Sequence, residues 1–265
     1  MDNQQFAIID PMRAAAMHAM LGHGGPEPAV GAALPEFWHW SQFWNIAAAA
    51  DLGRDGHPAT GQFLPDTGLP RRMWAGGEIT FSAPIPIGSE AARTSEVAAP
   101  VRKIGRSGPL AFVSVTHTVH ADGAVAIVER QDLVFREDPK PGDAAPKPQA
   151  APDGATHRRE YRQTQADLFR YSALTFNGHR IHYDIDYCRD VEGYPGLVVH
   201  GPLLAQRLVD LAREILGGVR AFSFRAVMPV FQPQAYVACA AQDGDALTLW
   251  IETEDGHLAM TGQAS

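Results

Sequence analysis

One break organises this chain. Asp138 to Gly154, DPKPGDAAPKPQAAPDG, holds five prolines and almost no large apolar side chain. Such a stretch has little to bury, and its prolines favour an extended backbone, so it reads as a stiff, solvated linker. It divides the 265 residues into a first domain at 1–137, a linker at 138–156 and a second domain at 157–265. Both parts place helix-like material ahead of antiparallel strands. In the first, helix-like Pro35–Leu52 precedes two β-rich runs, Ala111–His120 and Ala124–Arg136, on either side of the Asp122-Gly123 turn signal. In the second, Gly201–Leu216 precedes Tyr236–Gln242 and Leu247–Glu252 around Asp243-Gly244, and His257–Thr261 follows Asp255-Gly256. A shorter helix starts at Thr164, with Asp167 three residues on as a capping-box variant. Helix then long antiparallel strands, twice over, predicts an α+β duplication in which sheet wraps helix. The aromatic run around Phe37-Trp38-His39-Trp40 and Phe43-Trp44 fits a core or interface anchor.

The helix at 201–216 is well specified. Pro202 suits a first helical turn, where its missing N–H is no loss. Leu204, Leu208, Leu211, Ala212, Ile215 and Leu216 recur at three- and four-residue spacings, and Leu203 and Val209 widen that stripe. Gln206, Arg207, Asp210, Arg213 and Glu214 fall mostly on the other side, and Gly217-Gly218 ends the helix. The 27 residues from Phe176 to Pro202, leading into this helix, contain His179, His182, His200 and three aspartates. Burying such groups without a role costs free energy, so their concentration marks a candidate site. The Gly201 N–H lies at the positive end of the helix, where an oxygen that turns negative during reaction can be held. The same residues also fit plain structure: Asn177-Gly178 as a turn, His182 as a core histidine. A metal reading of His179, His182 and Asp184 lacks a fourth ligand at a suggestive spacing, so no metal is expected.

Charge and cysteine content narrow the function classes. A formal net charge of −8 argues against nucleic acid as the main partner. Cys188 and Cys239 form neither a CxxC pair nor a metal spacing, and no basic start followed by an apolar block opens the chain. The expectation is a reduced, cytoplasmic setting and no membrane span. Arg71-Arg72 and the cluster Arg102, Lys103 and Arg106 are local basic sites, each fitting either phosphate or a solvated loop.

The segment Asn177-Gly178-His179-Arg180-Ile181-His182-Tyr183-Asp184, followed by Gly193-Tyr194-Pro195-Gly196-Leu197-Val198-Val199-His200-Gly201, resembles the hydratase motif of MaoC-like, R-specific enoyl-CoA hydratases. That motif has an Asp, an Asn two residues on, a His five residues on, and a later His-Gly at the start of the central helix. The first half, at Leu34–Trp40, Pro70–Gly77, Gly105–Val113 and Gln131–Glu137, is similar to the N-terminal dehydratase-like domain of the mesaconyl-CoA and itaconyl-CoA hydratase group. The resemblance implies a double hotdog, two antiparallel sheets each wrapping a helix, as a monomer or a homodimer. It implies a hydro-lyase acting on a short α,β-unsaturated acyl-CoA, branched or dicarboxylic ones such as mesaconyl-CoA included. The only coenzyme implied is the substrate's own coenzyme A. His182 matches the family's catalytic His, and Gly201 the glycine whose N–H binds the thioester oxygen. Asn177 stands where most relatives have the catalytic Asp, and His179 where they have an Asn. A carboxamide cannot take up and return a proton. The resemblance therefore leaves proton transfer to His182, Asp184 or water, with His179, Arg180, Tyr194, His200, Arg71 and Arg72 expected to bind substrate and the first domain to wall a tunnel.

Two rivals share these residues. A hotdog thioesterase would use a carboxylate on the central helix, where Asp210 and Glu214 lie two and three turns in. A non-catalytic acyl-thioester binder would explain the missing Asp.

Overall fold

The structure is a computed structural model and describes residues 4–105, 108–139, 147–244 and 246–265. The first half runs β1 (Gln4–Ile8), α1 (Pro11–Leu21), β2 (Arg71–Phe81), β3 (Glu90–Val97), β4 (Val101–Gly105), β5 (Gly108–Ala121) and β6 (Ala124–Arg136). The second runs β7 (His157–Arg162), α2 (Gln165–Thr175), α3 (Ile185–Asp190), α4 (Gly201–Leu216), β8 (Ala221–Ala226), β9 (Ala235–Asp243), β10 (Ala246–Thr253) and β11 (Leu258–Ala264). All strand pairs are antiparallel, in the order β1-β3-β5-β6-β2-β8-β11-β10-β9-β7, with β4 on β5. The seam is β2 on β8, from Gly76 opposite Arg225 to Thr80 opposite Ala221. It fuses the two half-sheets into one, so the α+β double hotdog has a single continuous sheet rather than two.

Turn chemistry sets the hairpins. Asp122, at φ 50, and Gly123, at φ 76, close β5 onto β6, the left-handed pair that a two-residue hairpin turn requires. Thr164 and Asp167 form a full capping box at the start of α2: the Thr164 hydroxyl accepts the Asp167 N–H, and the Asp167 carboxylate accepts the Thr164 N–H at 2.8 Å.

Helix α4 starts and stops where its sequence pattern predicts, and its polar side is buried as far as Asp210. Every residue from Leu203 to Ala212 is buried. The second half-sheet packs on one side. On the other, Arg207 donates to the Leu21 carbonyl at the end of α1 at 2.7 Å, while Asp210 accepts from Gln206 at 2.9 Å and faces His23. The double hotdog thus makes α4 a central rod, and the buried Gln206, Arg207 and Asp210 find partners within the protein instead of in bulk water. Leu204 and Leu208 lie fully inside the core; truncating such a leucine costs about 2–5 kcal/mol.

The predicted helix at 35–52 is not formed. The segment holds only two short 3₁₀ turns, Trp38–Ser41 and Ala49–Asp51. Phe37 sits at φ 75, which ends any incoming helix, and Phe37, Trp38, His39 and Phe43 are all buried. Tertiary anchoring overrides local propensity: buried Glu129 of β6 accepts from Trp40 Nε1 at 2.8 Å and faces His39 Nε2 at 2.8 Å. The helix of the first half is instead α1, capped by Asp10 with Pro11 in its first turn. Of the 138–156 linker, residues 140–146 lie outside the described residues, as does Arg106. The described end lies along the second half, with the Leu258 N–H donating to the Gln149 carbonyl at 2.8 Å.

Candidate active site

The site is built where a loop of each half meets. Helix α2 ends at Phe176, whose left-handed backbone (φ 51) turns the chain and whose ring stacks on Trp44 of the first half at 4.8 Å. Asn177 Oδ1 then accepts the His179 N–H at 3.0 Å, an Asx turn leading into the 3₁₀ turn Arg180–His182. The first-half loop Gly53–Pro58 presses directly on this turn. The Arg180 N–H donates to the Asp55 carbonyl at 2.9 Å. A Cβ on Gly56 would lie 2.1 Å from the Gly178 carbonyl oxygen, and one on Gly178 would lie 2.6 Å from the Gly56 oxygen. Two glycines are therefore required at this crossing, and Gly56 also adopts φ +85.

This contact assembles a row of imidazoles. The rings of His57 and His179 lie 4.7 Å apart, those of His179 and His182 5.5 Å apart edge to face, and those of His182 and His200 are stacked at 3.6 Å. His182 is buried, with Nδ1 2.8 Å from the Val198 carbonyl. A carbonyl only accepts, so Nδ1 carries the proton and Nε2 presents a free lone pair. Burial pushes the His182 pKa down to about 4, outweighing the opposing effect of the Val198 carbonyl. The imidazole is thus neutral at pH 7 and able to accept a proton. His200, wholly buried, pairs through Nε2 with Ser172 Oγ at 2.8 Å and backs His182 rather than reaching into open space. Burial likewise holds His57, His179 and His200 well below the usual histidine range.

His200 is the N-cap of α4, so the imidazole of His182 stacks on the side chain of the residue that precedes Gly201. As the first helical residue, Gly201 has no intrahelical acceptor for this N–H. Trp74 of β2 roofs the same point: a Cβ on Gly201 would lie 3.0 Å from Trp74 Cε3. Trp74 is wedged between Trp40 and Phe224, at ring distances of 5.2 and 4.3 Å. An apolar roof keeps water from the helix start and strengthens its field.

Several expected contacts take other partners. Asp184 does not share a side with His182, because the chain between them is a 3₁₀ turn and not extended. Its Oδ1 caps α3 by accepting the Tyr187 N–H at 3.0 Å, and its Oδ2 pairs with Arg180 at 2.7 Å. These bonds hold the carboxyl below the usual carboxylate range, so Asp184 is occupied as the cap of α3 and the partner of Arg180. Arg180 is engaged by Asp184, by the Arg54 carbonyl and by the Tyr187 ring. Arg71 is buried and engaged: Nε meets Glu192 Oε2 at 2.7 Å, and Nη2 meets the Glu192 carbonyl and the Tyr194 hydroxyl. It ties the halves together, with Tyr194 as part of that tie. Arg72 differs. Its side chain is 12% exposed and Nη2 pairs with Asp55 Oδ2 at 3.1 Å, while Nε is buried with no partner. Asp55 and His57 were not foreseen. Nothing in a lone His between Gly56 and Pro58 signals a site until the fold sets it on His179. Asp55, His57 and His179 bring potential ligand atoms within 4.8 Å of one another, but Arg72 already occupies the second oxygen of Asp55.

A double hotdog with a buried neutral imidazole beside the start of its central helix defines the MaoC-like thioester dehydratase class. Residues 37–232 match the family described as hydroxyacyl-thioester dehydratase type 2, and the chain belongs to it. It is 41% identical over 253 residues to mesaconyl-C(4)-CoA hydratase of Chloroflexus aurantiacus, covering 94% of this chain and 89% of that protein. Among solved structures it resembles a MaoC-like dehydratase from Phytophthora capsici, with a TM-score of 0.75 and 12% identity over 99% of this chain and 94% of the other. It also resembles HtdX of Mycobacterium tuberculosis, with a TM-score of 0.70 and 18% identity over 100% and 99% of the two chains. At such identities the two structures speak for the fold alone.

Proposed function

We propose that this protein is a hydro-lyase that adds water to, or removes it from, a short α,β-unsaturated acyl-CoA, with mesaconyl-CoA the first substrate to test. The observation that supports the reading is the stack of neutral His182 on His200, the residue that precedes Gly201 at the start of α4. The 41% identity to a mesaconyl-C(4)-CoA hydratase supports the substrate class. In the hydration direction, Nε2 takes a proton from water as the water oxygen bonds to Cβ. The double-bond electrons move toward the thioester, whose oxygen becomes an enolate held by the Gly201 N–H. Collapse of the enolate takes the proton back from the His182 imidazolium at Cα, which completes addition of water and restores neutral His182. One well-placed oxyanion donor is worth about 10²–10³ in rate and a general base about 10²–10⁴.

In this reading Asn177 orients and does not transfer protons. Its Oδ1 is bound to the His179 N–H, leaving Nδ2 as the free end. The chemistry calls for no cofactor beyond the coenzyme A of the substrate. The reading places the enzyme in the cytoplasm, in line with its two free, buried cysteines, Cys188 and Cys239. No helix among the described residues is long and apolar enough to cross a membrane.

The test is loss of the enoyl-thioester absorbance with mesaconyl-CoA and crotonyl-CoA, with free thiol followed in parallel. Hydration by the wild type and a fall of about 10²–10⁴ in His182→Ala are expected. Thiol release without hydration would point instead to a thioesterase, and near-normal turnover in His182→Ala would make His182 structural.

A further inference from the structure

Two adjacent arginines at the start of β2 behave differently. Arg71 spends its donors on Glu192 and Tyr194. Arg72, almost as deeply placed, has its Nη2 on Asp55 Oδ2 and a long 3.5 Å contact to the Pro58 carbonyl, and its Nε–H is buried with no acceptor. A buried guanidinium donor without an acceptor is costly, and a planar guanidinium fork suits a carboxylate. Asp55 does not supply the missing acceptor: its Oδ2 meets Arg72 Nη2 and its Oδ1 accepts the His57 N–H at 3.1 Å.

The surroundings identify the kind of anion. The imidazoles of His57 and His179 make no hydrogen bonds among the described residues. Both are neutral, and the Arg72 charge is one of the causes that hold them so, after burial itself. Each neutral ring has one N–H to donate. His179 is edge to face with His182, so this group of donors lies at the reacting end of the site and not where a coenzyme A phosphate would sit.

We propose that Arg72, His57 and His179 form a carboxylate subsite that binds the free carboxylate of a dicarboxylic acyl thioester. The first half of the chain thereby supplies Arg72 and His57 to select the acyl group, while the second half supplies His179 and the base. This deepens the hydro-lyase reading and rests on it for the identity of the reaction, not for the binding site itself.

Two measurements test it. The first compares kcat/KM for mesaconyl-CoA and crotonyl-CoA in the wild type and in Arg72→Gln combined with Asp55→Asn, so that no carboxylate is left buried without its cation. The ratio favouring the diacid substrate should fall about a hundredfold, whatever happens to either rate alone, since truncating one partner of a buried charge pair has effects of that order. An unchanged ratio would overturn the subsite and leave Arg72 a structural link. The second needs no variant: binding of the unreactive pair succinyl-CoA and butyryl-CoA to the wild type by calorimetry. Succinyl-CoA should bind at least about tenfold more tightly, and equal affinities would refute the proposal. If the wild type hydrated neither enoyl-CoA, the hydro-lyase reading would fall, and the calorimetric comparison would still decide the subsite.

Discussion

Acidification should weaken this protein well before it affects ordinary carboxylates, and the site's histidines are the reason. An exposed histidine titrates near 6.5, whereas burial holds His182 at about 4. Between those values the unfolded chain binds a proton that the folded chain refuses. Stability from this group is therefore complete above pH 6.5 and lost as pH falls toward 4, at about 1.4 kcal/mol per pH unit in the middle of the window. At pH 5 the loss from His182 alone is about 2 kcal/mol. His57, His179 and His200 are depressed in the same direction, again chiefly by burial, so they steepen the slope. Against a typical total of about 5–15 kcal/mol this is a large fraction. Urea unfolding at pH 7.5 and pH 5.0, followed by circular dichroism, should show the folded state losing several kcal/mol. Catalysis gives an independent check on His182. Its base form persists through pH 6.5, so kcat/KM should stay level from about pH 8 down to about pH 5.5, as long as the protein remains folded. An unfolding midpoint that does not move between the two pH values, or an acid limb of kcat/KM inflecting near 6.5, would refute the buried, neutral imidazole row.

Gly56→Ala should cripple turnover: a Cβ 2.1 Å from the Gly178 oxygen, at a φ of +85, must push the two loops apart. A misplacement of about 1 Å in such a site costs on the order of a hundredfold in rate, and a variant with normal kcat would show that the loop contact does not position the histidines. Asp184→Asn should keep turnover within about threefold and change stability by less than about 1 kcal/mol, because asparagine also caps helices and partly exposed ion pairs contribute little. A drop of a hundredfold in steady-state rate would restore Asp184 as a proton carrier.

The parts that the sequence revealed are those fixed by local chemistry. The stripe and stop glycines bound α4 to within a residue, the Thr164–Asp167 box announced α2, and the Asp-Gly turns announced the hairpins. The failures were tertiary. Pro35–Leu52 has helix-like composition, but Trp40 and His39 are claimed by Glu129, some ninety residues on, and that claim decides the backbone. Asp184 could face the same side as His182 on an extended chain or cap a following short helix, and the 3₁₀ turn with α3 behind it bears out the cap. The burial of Gln206, Arg207 and Asp210 on the polar face of α4 is likewise beyond local reading, because nothing in the helix shows that a second half will cover it. His57 and Asp55 were invisible for the same reason: their significance lies in a glycine-on-glycine crossing between loops more than a hundred residues apart.

The same crossing gives the departure at Asn177 a physical sense. A carboxylate at 177 would stand half-buried, one hydrogen bond from His179, whose ring feels the Arg72 charge. With a dicarboxylic substrate bound beside His179, it would repel the incoming anion, and like charges in a low-dielectric pocket are costly. A carboxamide keeps the Asx turn that shapes the loop while removing the charge. On the proposed reading, Asn177 and Arg72 are then two halves of one adaptation. The site gives up a second proton carrier, leaves His182 to move the proton alone, and gains room for a substrate that brings its own carboxylate.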